Sequence, residues 1–208
     1  MNKNVPLIES YLDELFSDPK CELIYHNDYE LLIAIMLSAQ STDKRVNSVT
    51  PILFSKYSLE ELSRADLTDL ENIIHSVGSF HKKAIYIKEI AKRLINEFDG
   101  KVPTDRELLE SFTGIGRKTV NVFLSEYYGL PEIAVDTHVD RVSKRLKLAY
   151  SKDDVLKIEK KLQRHFKKED WGKRHLQLVL FGRYYCKAIK PECSNCKLRD
   201  ICRNKKDF

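Results

Sequence analysis

Residues 112–119 read FTGIGRKT, and the way this stretch folds decides how the chain is built. Leu108 and Leu109 end an apolar helical run before it, and Val120, Val122, Phe123 and Leu124 carry one on after it. Between the two runs Gly114 and Gly116 bracket a single apolar residue, Ile115. Glycines at that spacing permit a tight turn and let backbone N–H groups approach a ligand closely. A helix N-terminus behind the turn adds unpaired N–H groups of the kind that accept phosphate. Ile115 would anchor the turn in the core. The stretch therefore reads as a helix-hairpin-helix, with a plain helix–turn–helix as the competing reading. Lys118 stands one turn into the second helix; alone, it reads as a surface lysine.

The pattern around this hairpin is helical nearly throughout. Leu31 to Leu37 (LLIAIML) is apolar on every side, as a buried central helix would be. Ser41, Thr42 and Asp43 offer a break and a new N-cap. Ser58 with Glu61, Thr68 with Glu71 and Thr104 with Glu107 each fit the capping box S/T-x-x-E. Ala84, Ile87, Ala91, Leu94 and Phe98 form one helical stripe closed by Gly100, and Val155, Ile158, Leu162 and Phe166 form another. Asp136 reads as the N-cap of a helix from about Thr137 to Leu148. Strand-like alternation is nearly absent, so the expectation is an all-α protein with short connections. Gly129 and Pro131 in YYGLPEIAV mark a boundary or crossover.

A chain of 208 residues can form one large domain or two small ones. No run approaches 18 apolar residues, so no membrane span is expected. The N-terminal stretch lacks an apolar signal core with a cleavage site, and the expected compartment is intracellular. The net charge of +5 hides an asymmetry. Residues 141–208 carry 21 Lys and Arg against 8 Asp and Glu, while residues 1–140 carry 15 against 23. A basic third of this kind fits an anionic partner such as the nucleic-acid backbone, or a solvated lysine-rich surface.

Four of the five cysteines fall near the C-terminus in CKAIKPECSNCKLRDIC, at Cys186, Cys193, Cys196 and Cys202. The spacing C-x6-C-x2-C-x5-C gathers soft thiolate ligands, which zinc and iron–sulfur clusters both accept. In a reducing compartment such a group is a metal site. Spacing alone leaves the metal open. The common zinc pattern pairs two C-x2-C knuckles and this chain has one, which tilts the reading toward iron–sulfur. Cys21 stands apart and reads as a small inert residue.

Taken together, LSAQSTDKRVN (37–47), VGSFHKKA (77–84), FTGIGRKTVNV (112–122), AVDTHVDRVSKRL (134–146) and the four cysteines resemble the endonuclease III family of DNA repair glycosylases. The likeness covers roughly residues 28–203. It implies two helical domains. One is a six-helix domain with the hairpin, over residues 20–130. The other is a discontinuous [4Fe–4S] cluster domain of residues 1–19 and 131–208. DNA would lie in the cleft between them. The resemblance also implies a monomer acting on duplex DNA with damaged bases or abasic sites inside the cell, in the cytoplasm or nucleoid if the source is bacterial. Cys186, Cys193, Cys196 and Cys202 would hold the cluster, which shapes a basic loop and performs no bond cleavage.

Residue roles follow from the same likeness. Lys118 matches the catalytic lysine and Asp136 the catalytic aspartate of a bifunctional N-glycosylase and abasic-site lyase for oxidised pyrimidines. Gly114, Gly116 and Arg117 of the hairpin, with Lys187 and Lys190 of the cysteine loop, would meet DNA phosphate. Gln40 matches a residue that fills the gap left by an extruded nucleotide. His138 matches a lesion-pocket position, and a structural helix-start histidine is the equal alternative. One departure stands out. Many relatives carry a leucine wedge after the glycine, where this chain has Gly78-Ser79-Phe80, so Phe80 or His81 takes over the wedge or the insertion is weaker. The rivals are a sister glycosylase for another lesion, such as mispaired adenine, a non-catalytic DNA-binding iron–sulfur module, and a zinc-bound structural protein. Lys118 and the chain's end at Phe208 speak against the adenine enzymes, and Lys118 with Asp136 against the non-catalytic module.

Overall fold

The computed structural model describes residues 3–204, and among them every regular element is helical. In chain order the α-helices are α1 Val5–Leu15, α2 Asp28–Ser38, α3 Asp43–Asn47, α4 Thr50–Lys56, α5 Leu59–Arg64, α6 Leu67–Ile74, α7 Phe80–Phe98, α8 Arg106–Glu110, α9 Arg117–Tyr128, α10 Thr137–Arg145, α11 Val155–His165 and α12 Trp171–Tyr184, with a 3-10 turn at Lys168–Asp170 before α12. Among the described residues no helix is long and apolar enough to cross a membrane. The chain divides into two compact units. One runs from Glu22 to Tyr127; the other combines both chain ends, up to Cys21 and from Tyr128 onward.

In the Glu22–Tyr127 unit α2 is the centre, and no side chain from Leu31 to Leu37 is more than 4% exposed. Each Leu or Ile buried this fully contributes about 1.5–3 kcal/mol. α7 lies against α5 and α6. Of its predicted stripe, Ala84, Ile87, Ala91 and Leu94 are fully buried, while Phe98 at the helix end is half-buried. Asp99 and Gly100, both left-handed, end α7, and the Gly100 N–H returns to the Leu94 carbonyl at 2.9 Å.

Of the three predicted capping boxes, Ser58 with Glu61 forms in full. The other two do not. Asp66 caps α6 through the Asp69 N–H, which leaves Thr68 inside the helix. Asp105 caps α8 through the Leu108 N–H in place of Thr104. In both cases an aspartate stands close to the threonine, and aspartate is the better N-cap acceptor.

The unit of chain ends has its own core, made by Ile8 and Leu12 of α1, Val139 and Val142 of α10, Ile158 and Leu162 of α11, and Leu178 and Phe181 of α12. A polar clamp ties α1 to α12. Asp13 accepts from Arg174 Nη1 at 2.7 Å and from Gln177 Nε2 at 2.9 Å, and pairs with Lys173 at 2.7 Å. Burial opposes ionisation of Asp13, but these donors outweigh it and hold its carboxyl well below the usual carboxylate range. Two expectations need correction here. Val155 is 49% exposed, because it is the first residue of α11 after the Asp154 cap. α10 stops at Arg145, short of Leu148, and Lys147 just beyond is left-handed with φ 61°.

Candidate functional site

The hairpin is a bend closed by its own packing. The Ile115 N–H donates to the Phe112 carbonyl at 3.1 Å, and both side chains are buried beneath the turn. Gly114 has φ +79°, and a Cβ there would stand 2.4 Å from the ring of Tyr86 on α7. Backbone conformation and space both require glycine at that point. Gly116 differs: no atom lies within 4 Å of a Cβ placed on it, and its backbone is not left-handed. Arg106 on α8 donates to Oδ1 of the buried Asn121 on α9 at 2.8 Å, which joins the two helices of the hairpin. Arg93 of α7 lies over the Phe112 ring at 4.3 Å and donates to Ser111 Oγ at 2.8 Å. Arg117 and Lys118 open α9, and both are exposed. The first turn of α9 thus places a primary amine at a helix N-terminus.

Gln40 is also exposed, just beyond the end of α2, with φ 58°. Ser79 is exposed with φ 59°, immediately before α7. The Phe80 ring rests against that of His81, with centroids 4.0 Å apart. His81 Nδ1 in turn lies 2.8 Å from Glu71 Oε2.

In the unit of chain ends Asp136 is the N-cap of α10, as its position predicted. Its Oδ1 accepts from the Val139 N–H at 2.8 Å. The cap fixes the orientation of the carboxyl group and engages only one of its two oxygens. His138, the second residue of α10, has Nδ1 3.1 Å from Arg141 Nη2. Gly182 of α12 lies against His138, where a Cβ would stand 2.8 Å from the His138 Cβ. Only glycine lets α12 come that close to the start of α10.

All four C-terminal cysteines line one cavity, together with Tyr11, Arg145, Phe181 and Tyr185 among others. Each is half-buried and unpaired as a disulfide. Burial pushes the Cys186 and Cys196 thiols up, as it does wherever a thiolate would be desolvated. Leu198, fully buried, pins the segment to the core. Lys187 pairs with Glu192 at 2.9 Å within the loop, and Lys190 stands at its exposed tip with φ 49°.

Sequence reasoning missed two arginines that brace this loop. Arg145 Nη1 donates to the carbonyls of Lys187 at 2.7 Å and Cys186 at 3.2 Å, and to the Cys186 sulfur at 3.3 Å. Arg141 donates to the carbonyls of Cys186 at 3.0 Å and Gly182 at 2.7 Å. Their i, i+4 spacing on α10 was legible, but in a basic stretch it reads as surface charge.

The fold and these local geometries have close counterparts. Residues 33–168 match the model of the HhH-GPD superfamily of base excision DNA repair proteins. The chain is 46% identical over 204 residues to endonuclease III of Bacillus subtilis (strain 168), covering 96% of this chain and 93% of that one. Two solved structures superpose with a TM-score of 0.94 at 43% identity and cover 98% of this chain. One is a trapped endonuclease III–DNA covalent intermediate in an estranged-adenine complex, and the other a non-covalent endonuclease III–DNA complex. Similarity of this extent, over both units and nearly the full length of each relative, means that the chain belongs to the endonuclease III family within the HhH-GPD superfamily.

Proposed function

We propose that this base-excision-repair DNA glycosylase and abasic-site lyase acts on oxidised pyrimidines in duplex DNA, with Lys118 as nucleophile and Asp136 as its carboxylate partner. The observation that carries the reading is the chain-long likeness to endonuclease III, including a relative caught in a covalent DNA intermediate. The exposed amine on the first turn behind the hairpin supports it, since a nucleophile must be within reach of the sugar.

The damaged nucleotide leaves the stack, because C1′ and the base cannot be reached inside a duplex. The neutral amine of Lys118 attacks C1′. A nitrogen–carbon bond forms, and the glycosidic bond breaks with its electron pair leaving on the base. The sugar ring opens to an imine, which acidifies the proton at C2′. Loss of that proton expels the 3′ phosphate and cuts the strand. Asp136 stabilises positive charge developing on the sugar. Its orientation is already set by the Val139 N–H. Gln40 bonds the base left without a partner, and Gly116, Arg117 and Lys190 meet phosphate. This chemistry belongs where the chromosome is, in the cytosol of a bacterial cell.

The thiol arrangement fits a [4Fe–4S] cluster. Among the described residues four thiols face one cavity, and they would supply the one thiolate per iron that such a cluster takes. Such a cluster would supply structural cross-linking of the loop and no bond-breaking step.

The test is borohydride trapping on a duplex bearing thymine glycol. Wild type should give a covalent band. Lys118→Ala should give none, with lyase activity down by at least about 1000-fold and DNA binding retained; strand cleavage by the variant would reject Lys118. Asp136→Asn isolates the second role. Asparagine caps as well as aspartate, so the melting temperature should hold while single-turnover excision falls by about 100-fold or more. A variant that excises normally would leave Asp136 as a cap alone.

A further inference from the structure

One buried cation lies outside the groups named so far. Lys83, on the first turn of α7, is 5% exposed. Its Nζ donates to the carbonyls of Leu37 at 2.8 Å and Ala39 at 2.6 Å. These are carbonyls at the C-terminal end of α2, where a helix leaves acceptors unsatisfied and a cation complements its dipole. One side chain thus ties the end of α2 to the start of α7. Burying an ammonium is costly, and a methionine would fill the same space; what the amine adds is its hold on those two carbonyls.

Directly above that tie two strained segments meet. Gln40 and Ser79 are both exposed and both left-handed, a conformation that non-glycine residues keep only where their surroundings enforce it. The Gly78 N–H donates to Ser41 Oγ at 3.0 Å, and a Cβ on Gly78 would lie 3.1 Å from the Gln40 carbonyl oxygen. The segments that carry Gln40 and Phe80 therefore form one juncture, held from below by Lys83 and from the side by Gly78.

We propose that Lys83 is a positioning residue: it holds this juncture in the shape that presents Gln40 to the base opposite the lesion, and so sets opposite-base discrimination. The inference rests on the reading that Gln40 bonds the orphaned base.

The experiment measures single-turnover excision of thymine glycol opposite each of the four bases, using the full chain. The proteins are wild type, Lys83→Met, Gln40→Ala and the double variant. Lys83→Met should slow excision about tenfold opposite the preferred base and flatten the dependence on the opposite base. In the Gln40→Ala background the same change should have little further effect, as expected of coupled residues. Trapping on a pre-formed abasic site should stay within about threefold, because no base has to be unstacked there. A loss equal across all opposite bases and the abasic duplex, additive with Gln40→Ala, would overturn the proposal in favour of a purely structural lysine. So would a wild type with no opposite-base dependence. If Lys83→Met fails to fold, Gly78→Ala presses on the Gln40 carbonyl without touching the lysine. It should flatten the same dependence, and a uniform loss would again overturn the inference. Failure of wild type to trap on abasic DNA would instead reject the lyase reading beneath it.

Discussion

The hairpin at Gly114 and the segment from Cys186 to Cys202 both turn backbone outward, and they are held in opposite ways. The hairpin joins two helices, with Phe112 and Ile115 buried under it and a left-handed glycine at its bend. The cysteine segment contains no helix. It is a run of isolated turns, such as Cys196 N–H to the Cys193 carbonyl at 3.3 Å and Cys202 N–H to the Arg199 carbonyl at 3.2 Å. Leu198 is its only buried apolar residue. A turn between packed helices is determined by its flanks. A run of single turns buries too little apolar surface to offset its chain entropy and needs a cross-link. The cluster proposed for the four thiols would supply one, and Arg145 braces the loop's first carbonyls.

Breaking that cross-link should have the largest effect. Cys196→Ser is expected to cost on the order of 4 kcal/mol, a share of the roughly 10 kcal/mol or more that a structural metal centre supplies. Iron content should fall, and hydrogen exchange should rise across residues 186–204 while α8 and α9 keep their protection. Equal loss of protection in the hairpin would show that the two regions are not independently held. Gly114→Ala breaks the other member of the pair. A left-handed alanine costs about 1–2 kcal/mol, and forcing a methyl onto Tyr86 adds about 1–3 kcal/mol. A thermal melt should therefore drop by roughly 4–20 °C, with iron content unchanged. A melt within a degree of wild type would mean that Tyr86 yields freely.

The contrast also separates what the sequence discloses from what it hides. The hairpin was legible because its determinants are local: two helical runs, two glycines and one apolar residue between them. Asp136 was legible as a cap for the same reason. The capping boxes at Thr68 and Thr104 failed because a neighbouring aspartate competes for the same N–H groups, and a pattern of letters does not rank competitors. The stripe on α11 failed only at Val155, where a helix start turns the side chain outward. Arg141, Arg145 and Lys83 were illegible for a different reason. Each acts on carbonyls more than 40 residues away in sequence, and in a chain with 36 Lys and Arg nothing marks a buried cation from a solvated one. Gly182 was hidden likewise, since its partner is His138 on another helix.

The smallest effect is the most discriminating. Gly114 and Gly116 were read alike, for a tight turn and for close approach of backbone to phosphate, and the structure separates them. Gly114 is required by the fold itself. Gly116 has open space where a side chain would stand and a backbone that alanine can adopt. On stability alone Gly116→Ala should be neutral or gain about 0.4–1 kcal/mol, because alanine restricts the unfolded chain. If a phosphate rests against that backbone, the added methyl group holds it off. Binding to an abasic-site analogue duplex should then weaken by about three- to tenfold at fixed salt, with the melting temperature unchanged or raised, and this loss should persist in a Lys118→Ala background. Unchanged affinity would place the phosphate on the first N–H groups of α9, leaving Gly116 as a residue the helix start merely tolerates.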